Sequence, residues 1–290
     1  MLRVAAVQMQ VEPIDPSENF RRIESWMPRA ATAQASLIVF PECVLTGYFL
    51  TRQEAEEMAE PVSGPRVQSL QALCARWGMT AAVGTIERSQ EGQLFNAAVL
   101  VGPQGLLAVY RKTHLLCLGV DRYLTPGSKA PAVVATDMAR LGMLICYDLR
   151  FPEPMRALAL DGAQAILLPT AWPASATFYP DFLARTRALE NGVYLIAANR
   201  AGQERGQSFL GRSLILGPQG EILAESHGHE ETMLVADIDP AQSDAKHRVF
   251  DPGEYEVDLL RDRRPELYGR LTESKERQGR LAGRPANEES

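Results

Sequence analysis

Short β-type apolar runs alternate along this chain with amphipathic stretches of helical period, and that alternation restricts it to an α/β fold. Runs rich in Val, Ile, Leu and Ala occupy residues 2–9, 36–40, 80–87, 95–101, 141–146, 163–168, 193–198, 208–216 and 232–238. Most are bounded by Gly, Pro, Asn or Asp, as buried strands are. Residues 19–35 place Phe20, Ile23, Trp26 and Met27 on one helical side, with a kink expected at Pro28. Residues 66–77, 153–161 and 181–191 carry the same period, and Gly192 suits the end of the last because Gly accepts φ > 0. Two reversals, Gly102-Pro103-Gln104-Gly105 and Gly217-Pro218-Gln219-Gly220, lie between strand-like runs and predict hairpins.

No linker interrupts the middle of the chain. One domain is expected over residues 1–271, ending in a docking arm at 255–271 that carries Tyr255, Leu259, Leu260, Leu267 and Tyr268 among charges. The polar residues 272–290 are expected to be a disordered tail. The chain has 30 Lys+Arg against 36 Asp+Glu, a net charge of −6, and no basic block. That argues against nucleic acid and anionic membrane as partners. No apolar run reaches the roughly 20 residues that span a bilayer. The start, MLRVAAVQMQVEPID, reads as a first strand rather than a signal peptide. Four cysteines without CxxC or zinc-ligand spacing fit a reduced, cytoplasmic protein.

Three segments end an apolar run on a reactive side chain: LIVFPE on Glu42, YRKTHL on Lys112 and LICYDLRFPE on Cys146. Ligand sites of α/β sheets gather at such strand ends. Singly, each has a plainer explanation. A lone Cys is usually a buried structural residue, a lone Glu a loop carboxylate, a lone Lys a surface charge beside Arg111. A thiol before a helix start would, however, have its pKa lowered by nearby N–H groups. Jointly, a carboxylate, an ammonium and a thiol are the parts of cysteine-based acyl transfer. The carboxylate takes the thiol proton, and the ammonium with a backbone N–H holds the oxyanion.

With these motifs the chain resembles the nitrilase superfamily of carbon–nitrogen hydrolases. VAAVQM, LIVFPECVLTGY, FNAAVLVGPQG, YRKTHL, LICYDLRFPE, ARTRALENGVYLIAANR, FLGRSLILGPQGEIL and RRPELYG follow in family order from residue 4 to about 271. Seventy positions separate Glu42 from Lys112 and 34 separate Lys112 from Cys146, which also suits the family. The resemblance implies an α-β-β-α four-layer sandwich, two packed mixed sheets with outer helices, and subunits paired as a homodimer or higher homo-oligomer. It implies Glu42 as general acid/base, Lys112 and the N–H of Tyr147 as oxyanion donors, and Cys146 as nucleophile. Neither metal nor cofactor is implied.

The family's second active-site glutamate is missing: LLCLGVDRYLTPG contains no Glu. Asp121 is the only acid there and is expected to serve by holding Lys112 or the substrate amide. Its alternative is a surface Asp capped by Arg122. Tyr48, in the TGY segment, resembles the family's pocket tyrosine, and Trp172 is expected to line the same pocket. His114 is read as structural, His227 and His229 as a solvated turn, and Cys43, Cys74 and Cys117 as bystanders. Arg150 and Glu153 are expected to pair and brace the Cys146 loop, with Arg150 reaching a substrate carboxylate as the alternative.

The triad does not choose among amides, nitriles and carbamoyl compounds. True nitrilases usually read Cys-Trp-Glu, whereas this chain reads Cys146-Tyr147-Asp148 and looks like the amidase branches. The leading expectation is hydrolysis of a small linear carboxamide to carboxylate and ammonia. N-carbamoyl amino acid or amine hydrolysis is the alternative. A nitrilase, or a non-catalytic subunit on the same fold, comes after it.

Overall fold

The computed structural model describes residues 1–273. From residue 274 onward the expected disordered tail lies outside the described residues. In chain order the strands are β1 (Leu2–Gln8), β2 (Leu37–Val39), β3 (Thr80–Arg88), β4 (Leu94–Gly102), β5 (Gly105–Arg111), β6 (Val134–Ala135), β7 (Arg140–Met143), β8 (Ala165–Pro169), β9 (Tyr194–Ala198), β10 (Gln203–Glu204), β11 (Gln207–Ser208), β12 (Leu214–Leu216), β13 (Ile222–Glu225), β14 (Thr232–Ile238), β15 (His247–Asp251) and β16 (Tyr255–Asp258). The helices are α1 (Pro16–Thr32), α2 (Arg52–Met58), α3 (Pro65–Trp77), α4 (Pro152–Leu160) and α5 (Ala184–Asn191).

Two six-stranded sheets form, in the orders β14-β1-β2-β3-β4-β5 and β13-β12-β9-β8-β7-β6. In each, three central strands run parallel and the outer pairings are antiparallel. The layers follow from the period-2 alternation of strand side chains. In β1, Val4 and Ala6 face the second sheet and share a core with Leu141, Ile166 and Ile196. Ala5 and Val7 face the other way, onto Ile23, Met27 and Leu70 of α1 and α3. Helices α4 and α5 cover the outside of the second sheet with Met155, Leu158 and Ala188. The result is the expected α-β-β-α sandwich, and strands buried on both faces read as continuous apolar runs for that reason.

Both GPQG reversals are hairpin turns, joining β4 to β5 and β12 to β13. Gly78 and Gly192 close α3 and α5 in the left-handed conformation. The α1 helix continues through Pro28, and Asp15 caps its start by accepting from the N–H of Glu18 at 2.9 Å. Residues 208–216 shorten to β12, and β7 stops at Met143, three residues before Cys146. The α2 helix was not anticipated; it starts on a capping box, with Thr51 and Glu54 each accepting from the other's backbone N–H.

Residues Met1–Lys246 form one compact unit, and a second begins at His247. The described part of the second holds the antiparallel β15–β16 hairpin, with Phe250 stacked on Tyr255, and two single turns at Pro265–Leu267 and Gly269–Leu271. Phe250, Tyr255, Leu267 and Leu271 are exposed.

Candidate active site

Glu42 lies just past β2, in a loop pressed against β3. Phe40 N–H donates to the Ala82 carbonyl, and Glu42 N–H to Thr170 at the end of β8. The approach is so close that a Cβ on Gly84 would lie 2.4 Å from Cys43 N and 2.7 Å from Glu42 Cα. Only glycine leaves that space. Gly84→Ala is therefore expected to displace the Glu42 loop, lowering the melting temperature and turnover together. Overpacking of this kind costs roughly 1–3 kcal/mol or more. A variant with wild-type melting and turnover would remove Gly84 from this role.

Lys112 follows β5 and is held by main-chain pairing, its N–H donating to the Asn96 carbonyl at 2.8 Å. Its ammonium is fully buried between two carboxylates, 2.7 Å from Glu42 Oε1 and 2.6 Å from Asp121 Oδ2. Asp121 sits in a single turn, Gly119–Arg122, and is buried. It is thus no surface residue capped by Arg122, and the shorter acid reaches the lysine. Tyr48 OH donates to Asp121 Oδ2 at 3.2 Å, and Asn96 Nδ2 donates to Glu42 Oε1 at 2.7 Å and Asp121 Oδ1 at 2.8 Å. Glu42 Oε1 therefore carries two donors, while buried Oε2 has none.

Burial and the neighbouring Asp121 push the Glu42 carboxyl above its ordinary value, against the pull of Lys112. Burial opposes the charge on Lys112, yet Asp121 and Glu42 outweigh it and hold the ammonium protonated. Burial first, then Glu42, push the Cys146 thiol up as well. This corrects the expected lowering. Cys146 opens a tight turn, Cys146–Arg150, and α4 starts only at Pro152, so no long helix points its N-terminus at the sulfur. The resting thiol is protonated.

Cys146 has φ = +46°, which costs a residue with a Cβ roughly 1–2 kcal/mol. The fold over-determines that conformation. Asp148 accepts from Ile145 N–H (3.0 Å), Tyr110 OH (2.8 Å), Thr113 Oγ1 (3.1 Å) and His114 N–H (3.0 Å), tying the cysteine loop to the end of β5. His114 is structural as expected, with Nδ1 2.8 Å from Asp148 and its ring stacked on Phe151. The expected Arg150–Glu153 brace does not form. Arg150 lies instead over Phe178, 4.6 Å from the ring centroid. Arg187 braces the loop, donating to the carbonyls of Leu149 and Arg150 at 3.1 Å each.

Tyr147 is half-buried, edge-on to Phe151, and its N–H lies at the start of the turn, where backbone donors lack intrahelical partners. Trp172 is fully buried, stacked on Tyr179 at 4.9 Å, and its Nε1–H has no partner. Tyr179 lies close enough to Cys146 for a thiolate there to raise its own pKa, after burial. A buried Glu204 accepts from the N–H groups of Tyr48 and Phe49 and pairs with Arg200, which fixes Tyr48. Sequence reasoning missed Asn96, Gly84, Asp148, Arg187, Tyr179 and Glu204. Asn96 left a signal: one amide inside the apolar run LFNAAVLV must find partners if buried. Among the described residues no group of three or more His, Cys, Asp and Glu is arranged to hold a metal ion. Nor is any described helix long and apolar enough to cross a membrane.

The sequence profile of the carbon–nitrogen hydrolase family matches residues 3–248. The chain belongs to that family. A protein named nitrilase from Pyrococcus abyssi is 37% identical over 273 residues, covering 93% of this chain and all of that one. The omega-amidase of Homo sapiens is 32% identical over 248 residues, covering 82% and 88%. A solved Glu→Gln mutant of the amidase of Nesterenkonia sp. AN1 superposes with a TM-score of 0.78 at 30% identity, covering 93% of this chain and 96% of that one. That crystal carries the acetamide moiety of fluoroacetamide added covalently at the active-site cysteine. A double mutant of that amidase, with Glu→Gln and Cys→Ala replacements, in complex with acrylamide, gives a TM-score of 0.80 at 29% identity. This carbon–nitrogen hydrolase is an enzyme of the amidase-like branch of the nitrilase superfamily, acting through an active-site cysteine.

Proposed function

We propose that the enzyme hydrolyses a small linear carboxamide to a carboxylate and ammonia, with Cys146 as nucleophile. The observation that carries this reading is the divided Glu42 carboxylate. Oε1 is pinned by Lys112 and Asn96, and Oε2 is buried, unpartnered and free to move a proton. In the first step Glu42 Oε2 takes the thiol proton as sulfur bonds to the amide carbon. Lys112 Nζ and the Tyr147 N–H hold the oxyanion. The tetrahedral adduct collapses, the C–N bond breaks, and Glu42 gives its proton to the departing nitrogen, releasing ammonia. Glu42 then takes a proton from water, whose oxygen attacks the thioester. The C–S bond breaks, the carboxylic acid leaves, and the proton returns to sulfur.

Asp121 keeps Lys112 protonated and aimed. Tyr48, through Asp121, and Trp172, through Tyr179, are the pocket residues of this reading. The Nesterenkonia amidase mutant that holds the acetamide moiety of fluoroacetamide at its cysteine admits a small amide beside the sulfur, which supports an amide substrate here. The test is ammonia release from a panel of short monoamides, N-carbamoyl amino acids and amines, and nitriles, with Cys146→Ala in parallel. Cys146-dependent release from a monoamide is the expected result. Release from carbamoyl compounds alone would transfer the same chemistry to the carbamoyl class.

The reading includes self-association through the part of the arm beyond Leu260, whose Leu267 and Leu271 expose apolar surface. Truncation after Leu260 is expected to lower the sedimentation coefficient to that of a smaller assembly. An unchanged coefficient would count against the arm.

A further inference from the structure

We propose that Asn96 is a positioning residue for hydrolysis. Its side-chain amide, oriented by the Cys43 thiol, clamps the Glu42 and Asp121 carboxylates together and leaves only Glu42 Oε2 free to carry the proton. The inference rests on the triad reading above and deepens it.

The geometry is a relay of five side chains: Cys43, Asn96, Glu42, Asp121 and Lys112. Asn96 is the third residue of β4 and is buried. Its Nδ2 has two hydrogens, and each has a carboxylate: Glu42 Oε1 at 2.7 Å and Asp121 Oδ1 at 2.8 Å. The same two carboxylates share Lys112 Nζ through Glu42 Oε1 and Asp121 Oδ2. Amide and ammonium thus bridge one pair of acids from two sides. A flipped amide would aim Oδ1 at both carboxylates and is excluded by repulsion.

The correct orientation is enforced from behind. Cys43 Sγ lies 3.7 Å from Asn96 Oδ1 and donates to it. Burial first, then Glu42 and Asp121, push the Cys43 thiol far up, so it stays a donor. Cys43 is held there by the loop turn, with φ = +48°, and by the close approach of Gly84. The residue after Glu42 is therefore part of the relay rather than a bystander.

The consequence is a fixed division of labour within Glu42. A carboxylate held at one oxygen only by a flexible ammonium can rotate and exchange its oxygens. One also held by an amide on a strand cannot do so freely. The charged and titratable groups that face Glu42 are Lys112, Asp121, Cys43, Tyr48 and Cys146. Of these, Lys112 is the cation. The Asn96 amide is a neutral donor that favours ionised Glu42 without adding a charge. Removing it favours the protonated form, so the acidic limb of the rate moves to higher pH.

The experiment compares wild type with Asn96→Ala, Cys43→Ala and Cys43→Ser. It reads kcat and KM for the panel's best amide across pH, and the pH dependence of Cys146 alkylation by iodoacetamide, located by peptide mass spectrometry. Asn96→Ala is expected to lower kcat by about ten- to a hundredfold, with KM within about threefold, and to raise the acidic limb by about one pH unit. Cys43→Ala moves the limb the same way by less. Cys43→Ser, which keeps an O–H donor, returns it toward wild type. A structural role alone would lower the folded fraction and leave the limb in place, which overturns the proposal. If Asn96→Ala does not fold, the Cys43 pair decides: equal limbs in Cys43→Ala and wild type overturn the relay. Ammonia release that survives Cys146→Ala would instead sink the triad reading itself.

Discussion

Cys146→Ala is expected to reduce ammonia release to background, a loss on the order of a million-fold where a nucleophile is removed outright. Melting should change little. The substitution deletes one sulfur atom, and alanine has the same Cβ at φ = +46° that cysteine has. The loop around it is held by Asp148 and Arg187, which the substitution does not touch. A soluble, normally melting variant without turnover is thus the expected result. Ammonia release within tenfold of wild type would show that sulfur does not attack the substrate.

The second large effect is at Lys112. Loss of an oxyanion donor alone typically costs roughly 100- to 1,000-fold in turnover. Burial adds a structural cost that a surface lysine would not carry. Lys112→Ala or Lys112→Met leaves the Glu42 and Asp121 carboxylates buried together with only Asn96 between them. Breaking a buried ion cluster on one side typically costs about 3–5 kcal/mol. Keeping the fold while losing turnover is the outcome expected of an exposed lysine, and this site predicts loss of both.

The pH dependence of that variant has a definite sign. With the ammonium gone, burial and mutual repulsion raise the carboxyl pKa values in the folded state above their unfolded values. Between the two, the folded state binds more protons than the unfolded state, so stability falls as pH rises. Lys112→Met should therefore melt higher at pH 5 than at pH 8, relative to wild type under the same conditions. A destabilisation independent of pH would mean that the two carboxylates are not left facing each other.

How much of this was legible beforehand depended on range. The ends of the apolar runs marked Glu42, Lys112 and Cys146, because a strand that stops on a reactive group shows itself within six residues. The hairpins showed themselves through Gly and Pro, which act at short reach. Asp121 was legible as the only acid in its segment. Whether it reached Lys112 was not, because that depends on how the Gly119–Arg122 turn is laid against β5.

The sequence by itself determined the α/β alternation and the chemical parts, since apolar runs, helical stripes and turn residues act between near neighbours; the four-layer sandwich was implied only by the resemblance to the nitrilase superfamily. Tertiary structure alone decided which oxygen of Glu42 is free, that the Cys146 thiol is buried and protonated at rest, and that Arg187 rather than Glu153 steadies its loop. It also decided that Asn96 joins two acids 54 and 25 positions away. The physical reason is that hydrogen bonds and desolvation act over a few ångströms in space. Strand order and register bring those atoms together, and neither is written in the local pattern of residues.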